Sequence, residues 1–122
     1  MPNEPFVKPI RVEKPWGHEL IWARTDRYVG KILHIKAGHA LSLQYHKVKD
    51  ETVHLLSGRM RFQTGAGEVL QDRVLEAGES FHITPLMRHR MIAETDCDVL
   101  EASTPELDDV VRLEDRYGRA PK

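Results

Sequence analysis

The fold is decided by residues 38–58, which read GHALSLQYHKVKDETVHLLSG. Apolar and polar side chains alternate over residues 41–46, and this two-residue period predicts a β-strand. Gln44 and His46 are two positions apart, so they project from the same face of that strand. A short loop follows, and Glu51 opens a second strand that can fold back antiparallel and bring its carboxylate beside His46.

The same short period continues along the rest of the chain, punctuated by glycine and proline turns, whereas no convincing amphipathic helix is present. Residues 64–67 predict a hairpin turn, and residues 110–113 predict a strand or a short helix. Many short strands in 122 residues predict an all-β fold, a two-sheet barrel or jelly roll that can hold one small ligand. The predicted strands are His18–Ala23, Tyr28–Lys36, Leu41–His46, Glu51–Ser57, Arg59–Gln63, Val69–Leu75, Glu79–Thr84, Arg88–Glu94 and Asp98–Ser103.

The length predicts one domain, and the net charge of -1 gives no electrostatic reason to expect nucleic acid or an anionic membrane as a partner. No apolar run approaches a membrane span or a signal peptide, so a cytoplasmic location is expected. Residues 1–13 carry prolines that disfavour a helix, and they predict an extended arm or edge strand before a domain at 14–122. The single cysteine, Cys97, excludes an internal disulfide and stands between two aspartates that disfavour a thiolate.

A second glycine-led segment, residues 78–89, ends at His89 at the start of another predicted strand. Two imidazoles with a carboxylate and an amide oxygen form a plausible ligand set for one divalent cation. Each residue alone is more simply explained as a polar side chain on a solvent-facing strand. Their combination with the flanking glycines favours a metal site, whose predicted ligands are Gln44, His46, Glu51 and His89.

These spacings resemble the two motifs of the cupin family, G-x5-[HQ]-x-H-x3,4-E-x6-G and G-x5-P-x-G-x2-H. More narrowly, the chain resembles the C-terminal cupin domain of the type II phosphomannose isomerase/mannose-1-phosphate guanylyltransferase family. The matching segments cover nearly the whole chain and are Lys14–Gly17, Leu41–His46, His89-Arg90 and Asp109–Arg119. The resemblance implies a cupin-type double-stranded β-helix, a jelly-roll β-barrel, at 14–122.

Two positions of the second motif depart from the pattern, because Thr84 replaces proline and Leu86 replaces glycine. Bulkier side chains therefore rebuild the turn before His89. The guanylyltransferase domain of larger relatives has no counterpart in these 122 residues, so nucleotide-sugar synthesis is not expected of this stretch.

The resemblance implies a metal-dependent isomerase that interconverts mannose 6-phosphate and fructose 6-phosphate. A cation with open positions can polarise a carbonyl and the adjacent hydroxyl during such a reaction. Oxygen and imidazole ligands suit Zn, Mn, Fe, Co or Ni, so the metal is not identified by sequence. Lys31, Lys49 and Arg90 are candidates for binding the substrate phosphate, although a solvated surface position is the better explanation for most of the cations in this chain.

The sequence does not identify the catalytic base. His34 and His54 are candidates, but the two-residue period turns both side chains away from the face that carries the metal ligands. Two further functions stay open: a non-catalytic or regulatory sugar-binding cupin, and a metal-dependent dioxygenase. The arm and the exposed strand edges also predict a homodimer.

Overall fold

The computed structural model describes residues 5–65 and 69–120, and all the regular secondary structure within these residues is β-strand. The all-β prediction is therefore confirmed. In the described part of the chain, no helix is long and apolar enough to cross a membrane. The strands are β1 Ile10–Lys14, β2 Gly17–Arg24, β3 Val29–Ile35, β4 Leu43–Tyr45, β5 Glu51–Ser57, β6 Arg59–Gly65, β7 Gln71–Glu76, β8 Ser80–Ile83, β9 Arg88–Ala93, β10 Cys97–Ser103 and β11 Val111–Glu114.

The strands form two sheets of six and five strands. Their orders are β1-β2-β3-β10-β5-β8 and β11-β4-β9-β6-β7. Strands far apart in sequence are neighbours: β10 lies between β3 and β5, and β4 pairs with β9. This crossing between sheets is the jelly-roll arrangement, so the predicted architecture is confirmed.

Strand bounds differ from the predicted ones by at most two residues at either end. The β5 bounds agree with the prediction, whereas β4 is limited to Leu43–Tyr45. Leu41 still donates its backbone N–H to the Met91 carbonyl at 3.0 Å, so the segment before β4 follows β9 through isolated bonds. The tail forms the strand β11 rather than a helix. The predicted turn at 64–67 lies partly outside the described residues.

The core lies between the two sheets and consists of inward-facing side chains from alternate strand positions. Val53 and Leu55 of β5 are fully buried, as are Met91 and Ala93 of β9. Trp16 belongs to this core, at 2% exposure, whereas Trp22 is 45% exposed on the outer face. The side chains of the residues two positions before Val53 and Met91 also point into the barrel, because they follow the same alternation.

The N-terminal segment supplies an edge strand of the six-stranded sheet. β1 pairs antiparallel with β2 from Ile10 opposite Ile21 to Lys14 opposite Gly17. Val12 and Lys14 line the barrel cavity, so this strand contributes to the wall of the site.

Candidate metal centre

Three side chains converge inside the barrel. His46 directly follows β4, Glu51 is the first residue of β5, and His89 lies on β9. One ligand atom from each lies within 4.8 Å of the other two, and all three side chains are buried. The structure thus brings together three of the four residues that the sequence predicted as ligands.

The loop between β4 and β5 is shaped by Asp109. The carboxylate of Asp109 accepts backbone N–H bonds from Lys47, Val48 and Lys49, at 3.0, 2.7 and 2.8 Å. These bonds lower the pKa of Asp109 to about 2, so the carboxylate is ionised at neutral pH. The loop held in this way places Glu51 against His46.

Two backbone carbonyls orient the imidazoles. His46 Nδ1 donates to the Asp109 carbonyl, and His89 Nδ1 donates to the Met87 carbonyl at 3.1 Å. A carbonyl only accepts, so both Nδ1 atoms carry a proton, and Nε2 is the nitrogen of each ring that is left to bind a cation. Burial lowers the pKa of His89 to about 4, which keeps its ring neutral at pH 7.

The ligand atoms themselves indicate that a cation fits. His46 Nε2 lies 3.0 Å from Glu51 Oε2. Both atoms are buried, and the described residues offer neither of them a hydrogen bond of good geometry. Burial raises the pKa of Glu51, but His46 and the Lys49 charge outweigh it and hold this pKa well below its usual range. A buried imidazole nitrogen and a buried carboxylate oxygen converge here, with the Lys49 ammonium also beside the carboxylate, and such a pair is suited to share a divalent cation.

Gln44, the fourth predicted ligand, lies beside the cluster with its amide nitrogen inward. Ser42 Oγ donates to Gln44 Oε1 at 2.9 Å, whereas Gln44 Nε2 is 3.5 Å from His89 Nε2. Rotating the amide by half a turn exchanges its oxygen and nitrogen. Coordination by Gln44 requires that rotation.

The cluster opens into a cavity of about 290 Å³ between the sheets. Lys31 and Lys49 line it, as the sequence indicated, but each is paired with a buried acid. Lys31 Nζ lies 3.4 Å from Glu19 Oε1. Lys49 Nζ lies 3.1 Å from Glu51 Oε2 and 3.2 Å from Glu101 Oε2.

The charges of this network are distributed unevenly. Burial raises the pKa of Glu101, and the charge of Glu51 raises it further, although Lys49 and Lys31 oppose this. Burial acts to lower the pKa of Lys49, but Glu101 and Glu51 outweigh it and raise this pKa. Lys49 therefore keeps its positive charge, whereas Glu101 holds a proton more readily than an ordinary carboxylate.

Arg90 is not among the cavity-lining residues, so the geometry gives no support to the prediction that it binds substrate. It neighbours His89 in the strand and therefore points to the opposite face. Its guanidinium donates to the Glu114 carbonyl at 3.2 Å instead. His34 and His54 also face away from the cluster, as the two-residue period predicted, and contact Asp98 and Ser80.

Several cavity residues were not identified from the sequence. Glu101 occupies the inward row of β10 with Val99 and Ser103, so the alternation that indicated Lys31 would have indicated it too. Arg112 and Arg119 also line the cavity, but they come from the C-terminal tail. No local periodicity places that tail against the barrel.

Known proteins share this fold and sequence pattern. Residues 31–102 match the family model described as the cupin domain. The chain is 35% identical over 113 residues to "Mannose-1-phosphate guanylyltransferase ManC" of Salmonella typhimurium, and the alignment covers 88% of this chain but 23% of that protein. The chain therefore spans less than a quarter of the length of this relative.

Solved structures show the fold at lower sequence identity. The capsular polysaccharide assembling protein CapF of Staphylococcus aureus superposes with a TM-score of 0.76 at 17% identity, over 88% of this chain and 35% of that one. Oxalate decarboxylase of Bacillus subtilis, described with Mn(II) centres, superposes with a TM-score of 0.73 at 18% identity, over 84% of this chain and 29% of that one. From the family match and the jelly-roll architecture together, the chain belongs to the cupin domain family.

Proposed function

We propose that this protein is a metal-dependent sugar-phosphate isomerase that interconverts mannose 6-phosphate and fructose 6-phosphate. The observation that carries the proposal is the buried cluster of His46, Glu51 and His89, two of which, His46 and Glu51, line the cavity. The similarity to a mannose-1-phosphate guanylyltransferase supports a mannose phosphate as the substrate.

His46, Glu51 and His89 would hold the cation, with Gln44 as a fourth ligand once its amide rotates. When bound, the metal supplies a Lewis acid that polarises the carbonyl and adjacent hydroxyl oxygens of the sugar. Neutral imidazoles and an ionised carboxylate are the protonation states that metal binding needs. Zn, Mn, Fe, Co and Ni all suit this donor set.

The reaction also needs a group that moves a proton between neighbouring sugar carbons. Glu101 is suited to this role, because it lines the cavity and burial raises its pKa above that of an ordinary carboxyl group. Lys49 holds the Glu101 carboxylate at 3.2 Å and fixes its orientation. Apolar side chains of Trp16, Leu33 and Met91 line the same cavity and limit the access of water.

The test is an isomerase assay on purified protein loaded in turn with each candidate metal, with metal content measured by elemental analysis. We expect mannose 6-phosphate and fructose 6-phosphate to interconvert. His46→Ala should lose both the bound metal and the activity. His54→Ala is the matched control, because this imidazole contacts Ser80 on the outer face and should leave both readouts unchanged.

Three results would contradict the proposal. Bound metal without turnover on a panel of sugar phosphates would indicate a sugar-binding or regulatory cupin. Bound iron with oxygen uptake on an organic substrate would indicate a dioxygenase. Activity that survives in His46→Ala without metal would remove the metal from the mechanism.

A further inference from the structure

Most of the cations around the cavity are already matched by acids. Lys31 is paired with Glu19, and Lys49 lies between two glutamates. The Arg119 guanidinium makes two bonds to the Asp115 carboxylate, at 2.8 and 3.0 Å. These pairs leave little free positive charge for an anionic ligand.

Arg112 and Lys14 are the exceptions. Both line the cavity, yet within residues 5–65 and 69–120 no hydrogen bond or ion pair satisfies either side chain. The Nε atom of Arg112 is buried and has no acceptor among these residues. A buried guanidinium N–H without an acceptor is costly, so this atom is suited to an oxygen that arrives with a ligand.

The position of Arg112 relates it directly to the metal cluster. Across the five-stranded sheet, Arg112 of β11 lies opposite Gln44 of β4, and Gln44 lies opposite His89 of β9. Opposite residues on neighbouring strands project from the same face, and two strand spacings amount to roughly 10 Å. A hexose 6-phosphate is long enough to place its carbonyl end at the cluster and its phosphate at Arg112.

We propose that Arg112, assisted by Lys14, forms the subsite for the phosphate group of a phosphomonoester whose sugar end lies at the metal cluster. This inference rests on the proposed function, because it assigns one end of the same substrate. The planar guanidinium matches phosphate oxygens with two parallel hydrogen bonds, which a lysine does not reproduce. Asp108 also lines the cavity, but it is exposed, so water screens its repulsion of an anion.

The experiment measures equilibrium binding by titration calorimetry to the metal-loaded protein. The probes are mannose 6-phosphate, mannose and inorganic phosphate, which separate a sugar phosphate from a free anion. The variants are Arg112→Gln, Arg112→Lys and a matched control, Arg61→Gln, which removes the same charge from an exposed position on the same sheet. Metal content and the unfolding midpoint of each variant show whether the fold and the cluster survive.

We expect the wild type to bind mannose 6-phosphate far more tightly than mannose. Arg112→Gln should weaken mannose 6-phosphate binding by about tenfold to a hundredfold, because it removes charge-assisted hydrogen bonds. Arg112→Lys should recover part of this loss, and Arg61→Gln should equal the wild type. Metal content should be the same in all four proteins.

Separate outcomes overturn the subsite and the isomerase. Unchanged mannose 6-phosphate affinity and KM in Arg112→Gln would overturn the subsite even if the wild type isomerises the sugar. Loss of bound metal in Arg112→Gln would also overturn it, because Arg112 would then act on the cluster. If Arg112→Gln weakens the binding of mannose 6-phosphate and the wild type does not isomerise this sugar, the subsite is supported and the isomerase proposal is overturned. If Arg112→Gln does not fold, Arg112→Lys decides, and wild-type affinity in that variant overturns the proposal.

Discussion

At the residue scale, Leu86 shows a local conflict between side chain and backbone. It occupies the motif position that favours glycine, and its φ of 71° lies in the left-handed region that L-residues with a Cβ rarely adopt. Its N–H donates to the His46 carbonyl at 2.7 Å, so the turn is tied to a ligand of the cluster. The side chain is 62% exposed and therefore gains little from burial.

Replacing Leu86 by glycine should stabilise the protein. Relief of the left-handed conformation is worth about 1–2 kcal/mol, and the greater freedom of glycine in the unfolded chain offsets part of it. We expect the free energy of unfolding to rise by up to about 1 kcal/mol in Leu86→Gly. Leu86→Val should instead lower it, because a β-branched residue is least tolerant of positive φ. Urea denaturation of the three proteins measures both, and a less stable Leu86→Gly would contradict the reasoning.

A second residue-scale prediction concerns acid. The hydrogen bonds from Arg119 hold the pKa of Asp115 below its usual 3.8, and the Asp115 side chain has 0% exposure. A carboxyl with a lowered folded pKa stabilises the protein above its unfolded pKa, and this contribution is lost as the pH falls through the folded value. Asp115→Asn should therefore cost about 1–3 kcal/mol at pH 7. Denaturation at a series of pH values should show this difference shrinking below pH 3.8, and a constant difference would disprove the role of the charge.

At the element scale, the turn between β1 and β2 depends on Gly17. Its φ is 152°, and a Cβ built there would lie 1.9 Å from the backbone oxygen of His34 on β3. The absence of a side chain thus allows β2 to pack against β3 directly after the buried Trp16. This close approach is the physical reason for a glycine at the end of the Lys14–Gly17 segment.

Gly17→Ala should destabilise the protein more than Gly38→Ala. Gly38 also has a positive φ, 80°, but a Cβ there meets nothing within 4 Å, so its substitution costs only the backbone term of about 1–2 kcal/mol. At Gly17 the clash with backbone atoms adds to a similar cost. Thermal unfolding followed by circular dichroism compares the two variants. Equal losses would show that β3 yields to the extra methyl group.

At the scale of the whole molecule, metal binding should be coupled to folding. The three ligands come from the residue after β4, from β5 and from β9, so only the folded barrel brings them together. A metal that binds the folded state alone stabilises it. At a metal concentration a hundred times the Kd, the gain is about 2.7 kcal/mol. We expect a chelator to lower the melting temperature of the wild type and to leave His46→Ala unchanged. Equal shifts in both proteins would place the stabilising metal elsewhere.

We also expect a homodimer that pairs through the outer edge of β1. This strand ends its sheet, and apolar side chains beside the edge are exposed, with Ile10 at 56% and Val7 at 67%. Light scattering should give twice the chain mass of 14.1 kDa. Ile10→Asp should shift the protein toward monomer, whereas Val69→Asp, at an exposed position in the segment before β7, should not. A wild type that stays monomeric at high concentration would contradict this expectation.

The sequence by itself determined which faces of the strands turn inward. Side chains on a strand alternate over two residues, so Gln44 with His46, and Glu51 with Val53, were assigned to shared faces from local pattern alone. The same rule placed His34 and His54 outside. The tertiary structure decided what those faces meet. Glu101 and Arg112 reach the cavity because β10 and β11 pair with strands more than forty residues away, and the order of strands in a sheet is set by packing that no local period encodes.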